Sequence, residues 1–148
     1  MRFAVALLAV VAVTACAAKE EPAADTTTPA AAAAAPTVAD FAGTWNSSAV
    51  LEGTPDTVKS TLTVMPDGTG HLTLPDRPNV PVTLSISGDS LVTQTEEYES
   101  ILRKGVRVTV RTAGVMSGGM MTGKLVSTYK TATGEQIVNG TITSTKAP

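Results

Sequence analysis

Few side chains in this sequence can do chemistry, and most of them stand alone. His71 is the only histidine among 148 residues. One histidine cannot build a multi-histidine zinc site, and a Ser-His-Asp arrangement cannot be argued from it without geometry. It follows Gly70 on an alternating run and reads as a solvent-facing strand residue. Cys16 is the only cysteine, so neither an internal disulfide nor a thiolate cluster can form. Glu96, Glu97 and Glu99 are the densest acidic cluster. Convergent carboxylates can do acid–base work or hold calcium. Neighbours on a strand point to opposite faces, however, so Glu96 and Glu97 should diverge. Arg103, Lys104, Arg107 and Arg111 form a local basic set. Its odd-numbered members share a strand face, either solvated or set against anionic lipid headgroups. Met116, Met120 and Met121 flank Gly118-Gly119. Such a tip suits contact with an apolar ligand at a barrel mouth, or with an apolar partner, or plain packing at strand ends. No phosphate loop or dinucleotide fingerprint occurs, and no cofactor or metal is expected.

The elements that must position these residues are strands. Val80, Val82, Leu84 and Ile86 alternate with Pro81, Thr83 and Ser85, and Val106, Val108 and Val110 alternate with Arg107, Thr109 and Arg111. Period two with β-branched residues marks strands with one buried face. Pro66-Asp67-Gly68, Ser87-Gly88-Asp89, Gly118-Gly119 and Thr133-Gly134 supply turn chemistry between the runs. The pattern predicts strands at 43–51, 58–65, 69–74, 80–87, 90–98, 105–116, 120–130 and 136–145. Eight strands with short connections form an antiparallel meander, which closes into an up-and-down β-barrel and so removes its exposed edges. An open curved sheet or a sandwich is the alternative. If Val106, Val108 and Val110 face inward, pairing with strand 90–98 turns Leu91, Thr93 and Thr95 inward as well. Glu96 then stands outside beside Arg107 as an exposed cross-strand pair. Glu97 points inward near the rim as a ligand-contacting group.

Ahead of this β-domain, Arg2 is followed by an apolar run from Phe3 to Val13 and by small residues at Thr14 and Ala15. The run fits an export signal and is shorter than the roughly 20 residues a spanning helix needs. Val13-Thr14-Ala15-Cys16 resembles the lipobox of bacterial lipoproteins. That resemblance implies cleavage before Cys16 and acylation of its sulfur and amine, which gives stable anchoring in a bilayer. Ala17, where aspartate would favour the inner membrane, implies the periplasmic side of the outer membrane if the host is Gram-negative. The expected organisation is a signal peptide at 1–15, an anchor and disordered Ala/Pro/Thr-rich linker at 16–38, and the barrel at 39–148. A flexible tether of about 20 residues has a typical end-to-end distance of roughly 25 Å.

Arg2 is the one charge before Cys16, so ten of eleven Lys and Arg remain against thirteen Asp and Glu. The resulting charge of −3 carries no bias toward nucleic acid. Phe41, Trp45, Tyr98 and Tyr129 are the only aromatics left, too few for a single-strand stacking platform.

Gly43-Thr44-Trp45 at the start of the first strand resembles the lipocalins, and with Asn46 also the avidin-type barrels. The resemblance implies a small ligand-binding barrel in which Trp45 plugs one end and a basic residue, here Lys146, packs across it. Avidins surround biotin with several tryptophans, and with Trp45 alone biotin binding is not implied. Three functions follow. The first is non-catalytic binding of a small apolar or amphipathic ligand, which calls for a cavity of several hundred Å³. The second is docking of another envelope protein on the outer surface. The third, an enzyme, has the least to build with.

Overall fold

The computed structural model describes residues 35–148. The export segment, Cys16 and the linker to residue 34 lie outside the described residues. The chain enters through a 3₁₀ turn, Val38–Phe41. Asp40 holds that turn by accepting hydrogen bonds from Thr37 N–H at 2.7 Å and Thr37 Oγ1 at 2.9 Å. These bonds keep the Asp40 carboxyl below its ordinary value.

The strands are β1 (Gly43–Leu51), β2 (Thr57–Val64), β3 (Thr69–Leu74), β4 (Arg77–Ser87), β5 (Ser90–Thr95), β6 (Tyr98–Glu99), β7 (Arg107–Ser117), β8 (Met120–Thr131) and β9 (Gly134–Lys146). Apart from β5 and β6, which both lie along β7, sequence neighbours pair antiparallel, and β1 with β9 and β5 with β7 complete the ring. The wall is therefore a closed, eight-stranded, up-and-down barrel, with the two-residue β6 prolonging the path of β5 along β7. Closure satisfies the edge hydrogen bonds that an open meander would leave exposed.

Period-two alternation sets the faces. Along β1, Trp45, Ser47, Ala49 and Leu51 are buried while Asn46, Ser48 and Val50 are exposed. Leu91, Thr93 and Thr95 are buried on β5, and Thr93 sits opposite Thr112 on β7. The core has two parts. Phe41, Trp45, Leu62, Val64, Val82, Leu84, Leu91 and Met121 pack at the end where the chain enters. Ala49, Leu51 and Leu125 pack farther along the axis, with Val58, Val110, Val138 and Ile142 against them.

The run expected as one strand at 90–98 is broken. Gln94 faces Arg111, so an unbroken ladder would place Tyr98 opposite Arg107; Tyr98 instead faces Val108. One extra residue has entered the strand, a β-bulge at Glu96-Glu97. A one-residue shift exchanges the two faces of everything beyond it. The inward face of β5 is odd-numbered, whereas past the bulge Tyr98 lies inward.

Candidate functional site

Three turns gather at the end closed by Trp45. They are residues 65–68, 88–89 and 118–119, which join β2 to β3, β4 to β5 and β7 to β8. Trp45 is fully buried, and its Nε1–H donates to the Phe41 carbonyl at 2.8 Å. The 3₁₀ turn is thereby fastened over the barrel end. Lys146, opposite Trp45 on β9, holds its Nζ 5.6 Å from the indole centroid. Gly43 has φ +128°, and a Cβ there would stand 2.8 Å from Lys146 Cε. The glycine thus lets the lysine stem lie across the ring. Gly43, Trp45 and Lys146 form one contiguous unit.

The interior above this plug holds a cavity of about 70 Å³. Its lining runs from Met121 and Leu62 beside the plug to Tyr98, Ile101 and Leu102 at the opposite end. Apolar and small hydroxyl side chains make the lining, and several of the hydroxyls are matched within the wall. Ser47 and Ser144 share a hydrogen bond at 2.7 Å, as do Thr93 and Thr112. Thr95 Oγ1 accepts from Val110 N–H at 2.9 Å. A surface of this kind asks little hydrogen bonding of an occupant. Drug-sized ligands occupy roughly 300–1,000 Å³. The cavity is therefore far smaller than the several hundred Å³ expected. Eight-stranded barrels sit at the width where side chains nearly fill the interior, so modest differences in lining volume decide the outcome.

The mouth lies at the far end, where β1–β2, β3–β4, β5–β7 and β8–β9 are joined. Tyr98 and Tyr129 both line the cavity there. Burial pushes the Tyr98 phenol up to about 12, with Tyr129 adding to it. The phenol therefore stays protonated through the neutral range. Residues 100–106 cross the mouth. Ile101 and Leu102 reach into the cavity, and Leu102 also lines a groove of about 150 Å³ outside it with Glu52, Asp56, Arg103 and Val138. The guanidinium of Arg103 lies 4.1 Å from the Tyr129 ring centroid.

The other residues singled out from sequence fall elsewhere. Glu97 does not reach the lining. It stands on the outer surface, where its carboxylate pairs with Arg107 at 3.1 Å and with Lys130. These partners, Lys130 first, hold its carboxyl below the ordinary range. The expected Glu96–Arg107 pair is replaced by this one, because the bulge moves Glu97 to the outer face. The methionines divide. Met121 is 4% exposed and packs over Gly114, whereas Met116 and Met120 are 39% and 43% exposed. Their turn belongs to the plugged end, so it does not border the mouth. His71 sits on β3 between Thr63 and Pro81, one position from the inward Leu72. Arg103 leaves the strand face shared by Arg107 and Arg111 and joins the mouth.

The residues that sequence reasoning missed are Tyr98, Ser100, Ile101, Leu102 and Tyr129. The apolar pair Ile101-Leu102 between Glu99 and Arg103 was the available signal. Apolar side chains in a charged loop gain by covering a nearby surface, and here Ile101 is half-buried while Leu102, at the cavity rim, is 37% exposed. No set of three His, Cys, Asp or Glu able to hold a metal occurs among the described residues, and no helix among them is long and apolar enough to cross a membrane. No protein-family model matches the chain, and no curated protein matches it in sequence.

Proposed function

We propose that this is a non-catalytic binding protein of the bacterial envelope. In this reading Cys16 carries the lipid anchor, and a lipocalin-like barrel takes a slender apolar or amphipathic ligand along its axis. The observation that carries the reading is the continuous lining from Met121 to Leu102, largely apolar, with Ser47 paired to Ser144 and Thr93 to Thr112. The groove at the mouth, with Arg103, Glu52 and Asp56 on its walls, offers a place for a polar head. The space of about 70 Å³ equals roughly two water volumes, so an occupant enters only if the mouth opens or the lining moves apart. Native mass spectrometry of the protein after incubation with envelope lipid extracts tests this. One retained single-chain molecule per barrel is the expected result, and a bare protein across all extracts would sink the idea.

The smallness of the cavity favours a second reading, in which the outer wall docks another envelope protein. Val50, Val126 and Ile137 are among the large apolar side chains exposed on β1, β8 and β9, with Ile137 65% exposed. Crosslinking in intact cells from position 137 should then trap one partner. Recovery of uncrosslinked monomer alone counts against it.

A further inference from the structure

We propose that residues 100–106 are a lid over the mouth, latched by Arg103, whose release sets the rate at which the interior exchanges its occupant. This rests on the interior binding proposed above. The segment is a self-contained unit. Ser100 N–H donates to the Val106 carbonyl at 2.8 Å and closes its base. Inside the loop, the buried Ser100 Oγ accepts from Leu102 N–H and Arg103 N–H, both at 3.1 Å. Val106 N–H donates to the Arg103 carbonyl at 3.1 Å. Glu99 accepts from Gly105 N–H at 3.1 Å and pairs with Arg77 at 3.3 Å, which ties the base to β4. Gly105, at φ +75°, makes the return bend that an L side chain resists.

A unit bonded to itself moves as a body, so its links to the opposite wall matter most. Among the described residues, one side chain in the loop tip makes polar contact with that wall. Arg103 stacks on Tyr129 of β8 and donates through Nη1 to Gln136 Oε1 of β9. The remaining hold is apolar, from Ile101 and Leu102 in the mouth. Leu51, Leu102 and Tyr129 all line both the inner cavity and the outer groove, and of the three Leu102 alone belongs to the loop. Lifting the loop draws Leu102 out and merges the two spaces. The small closed cavity and a larger ligand are then compatible. Lids of this kind often set exchange rates, because closure and opening are slower than diffusion.

The test is stopped-flow binding of cis-parinaric acid, a single-chain amphipathic fluorophore, to the full chain. Arg103→Ala should speed both association and release by about five- to tenfold while moving the equilibrium constant less. Arg103→Lys, which keeps the charge but not the planar stack, should fall between. Leu102→Ala should bind more tightly than wild type by joining cavity and groove. Hydrogen exchange provides a readout without ligand: amides 102 and 103 should exchange faster in Arg103→Ala, with the strand amides of β1 unchanged. Binding at wild-type rates in all variants, with unchanged exchange at 102 and 103, overturns the lid and leaves interior binding standing. Absence of fluorophore binding in every chain, Leu102→Ala included, overturns both.

Discussion

At the plugged end the turns are short and the centre is filled by Phe41, Trp45, Leu91 and Met121. At the mouth one connection runs from Ser100 to Val106, and Ile101 and Leu102, side chains of that same connection, line the cavity. The plug packs Phe41 of the entering 3₁₀ turn against residues of the strands themselves, so disturbing it disturbs the wall. The mouth is filled by a loop that can withdraw and leave the wall intact. Local opening free energies differ across a protein, and segments held by few buried contacts open first. Under the lid proposal, the loop at the mouth opens ahead of the wall while the plugged end stays closed.

Several measurements break or sharpen this contrast. Trp45→Ala removes the largest side chain of the plug and should lower stability by about 3–5 kcal/mol in urea titrations. A loss under 1 kcal/mol would mean the plug is not the anchor of the fold. Within the methionine hairpin, Met121→Ala should cost about 2–5 kcal/mol, while Met120→Ala stays within about 0.5 kcal/mol. Equal effects would contradict the division of that turn into inside and outside.

At the mouth the contrast is electrostatic. The Tyr98 phenol titrates near 12 in the folded protein against 10.0 ordinarily. The unfolded chain loses this proton first, so the contribution to stability is whole below pH 10 and disappears as pH rises toward 12. Urea midpoints across that window should fall more steeply for wild type than for Tyr98→Phe; parallel curves would place Tyr98 in solvent. The smallest effect belongs to Glu97. Its carboxyl is held below 4.5, so what its ion pairs contribute is present above that value and lost as pH falls through the folded one. The gap in melting temperature between wild type and Glu97→Gln should be small at pH 6 and shrink as the pH falls below 4.5. A gap that widens in acid would reverse the sign argued here.

The barrel was legible because each signal was local. Alternating Val and Thr set the faces, and Gly-Asp, Gly-Gly and Thr-Gly dipeptides set the turns. A lone tryptophan after Gly43 could be placed at the start of the first strand for the same reason. The bulge was not legible. Glu96-Glu97 carries no glycine or proline to mark an inserted residue, yet that insertion moved Glu97 outward and Tyr98 inward. Cavity size was beyond reach as well, because it depends on how Tyr98, Leu102 and Tyr129 pack after the bulge has set their faces. The position of the methionine turn followed from counting strands from the plug. Sequence spacing gives that count only once the wall is known to close.

The pairing of Trp45 with Lys146, and the Ala147 N–H that donates to the Thr44 carbonyl at 2.8 Å, place the first and last strands side by side at the plug. A short peptide bridge could therefore join the two ends of the domain, and the chain could be reopened at the 132–133 hairpin without cutting a strand. The same adjacency serves surface attachment. A label or immobilising handle beyond residue 148 hangs from the sealed pole, leaving the opposite one free to face a ligand, a detector or another molecule.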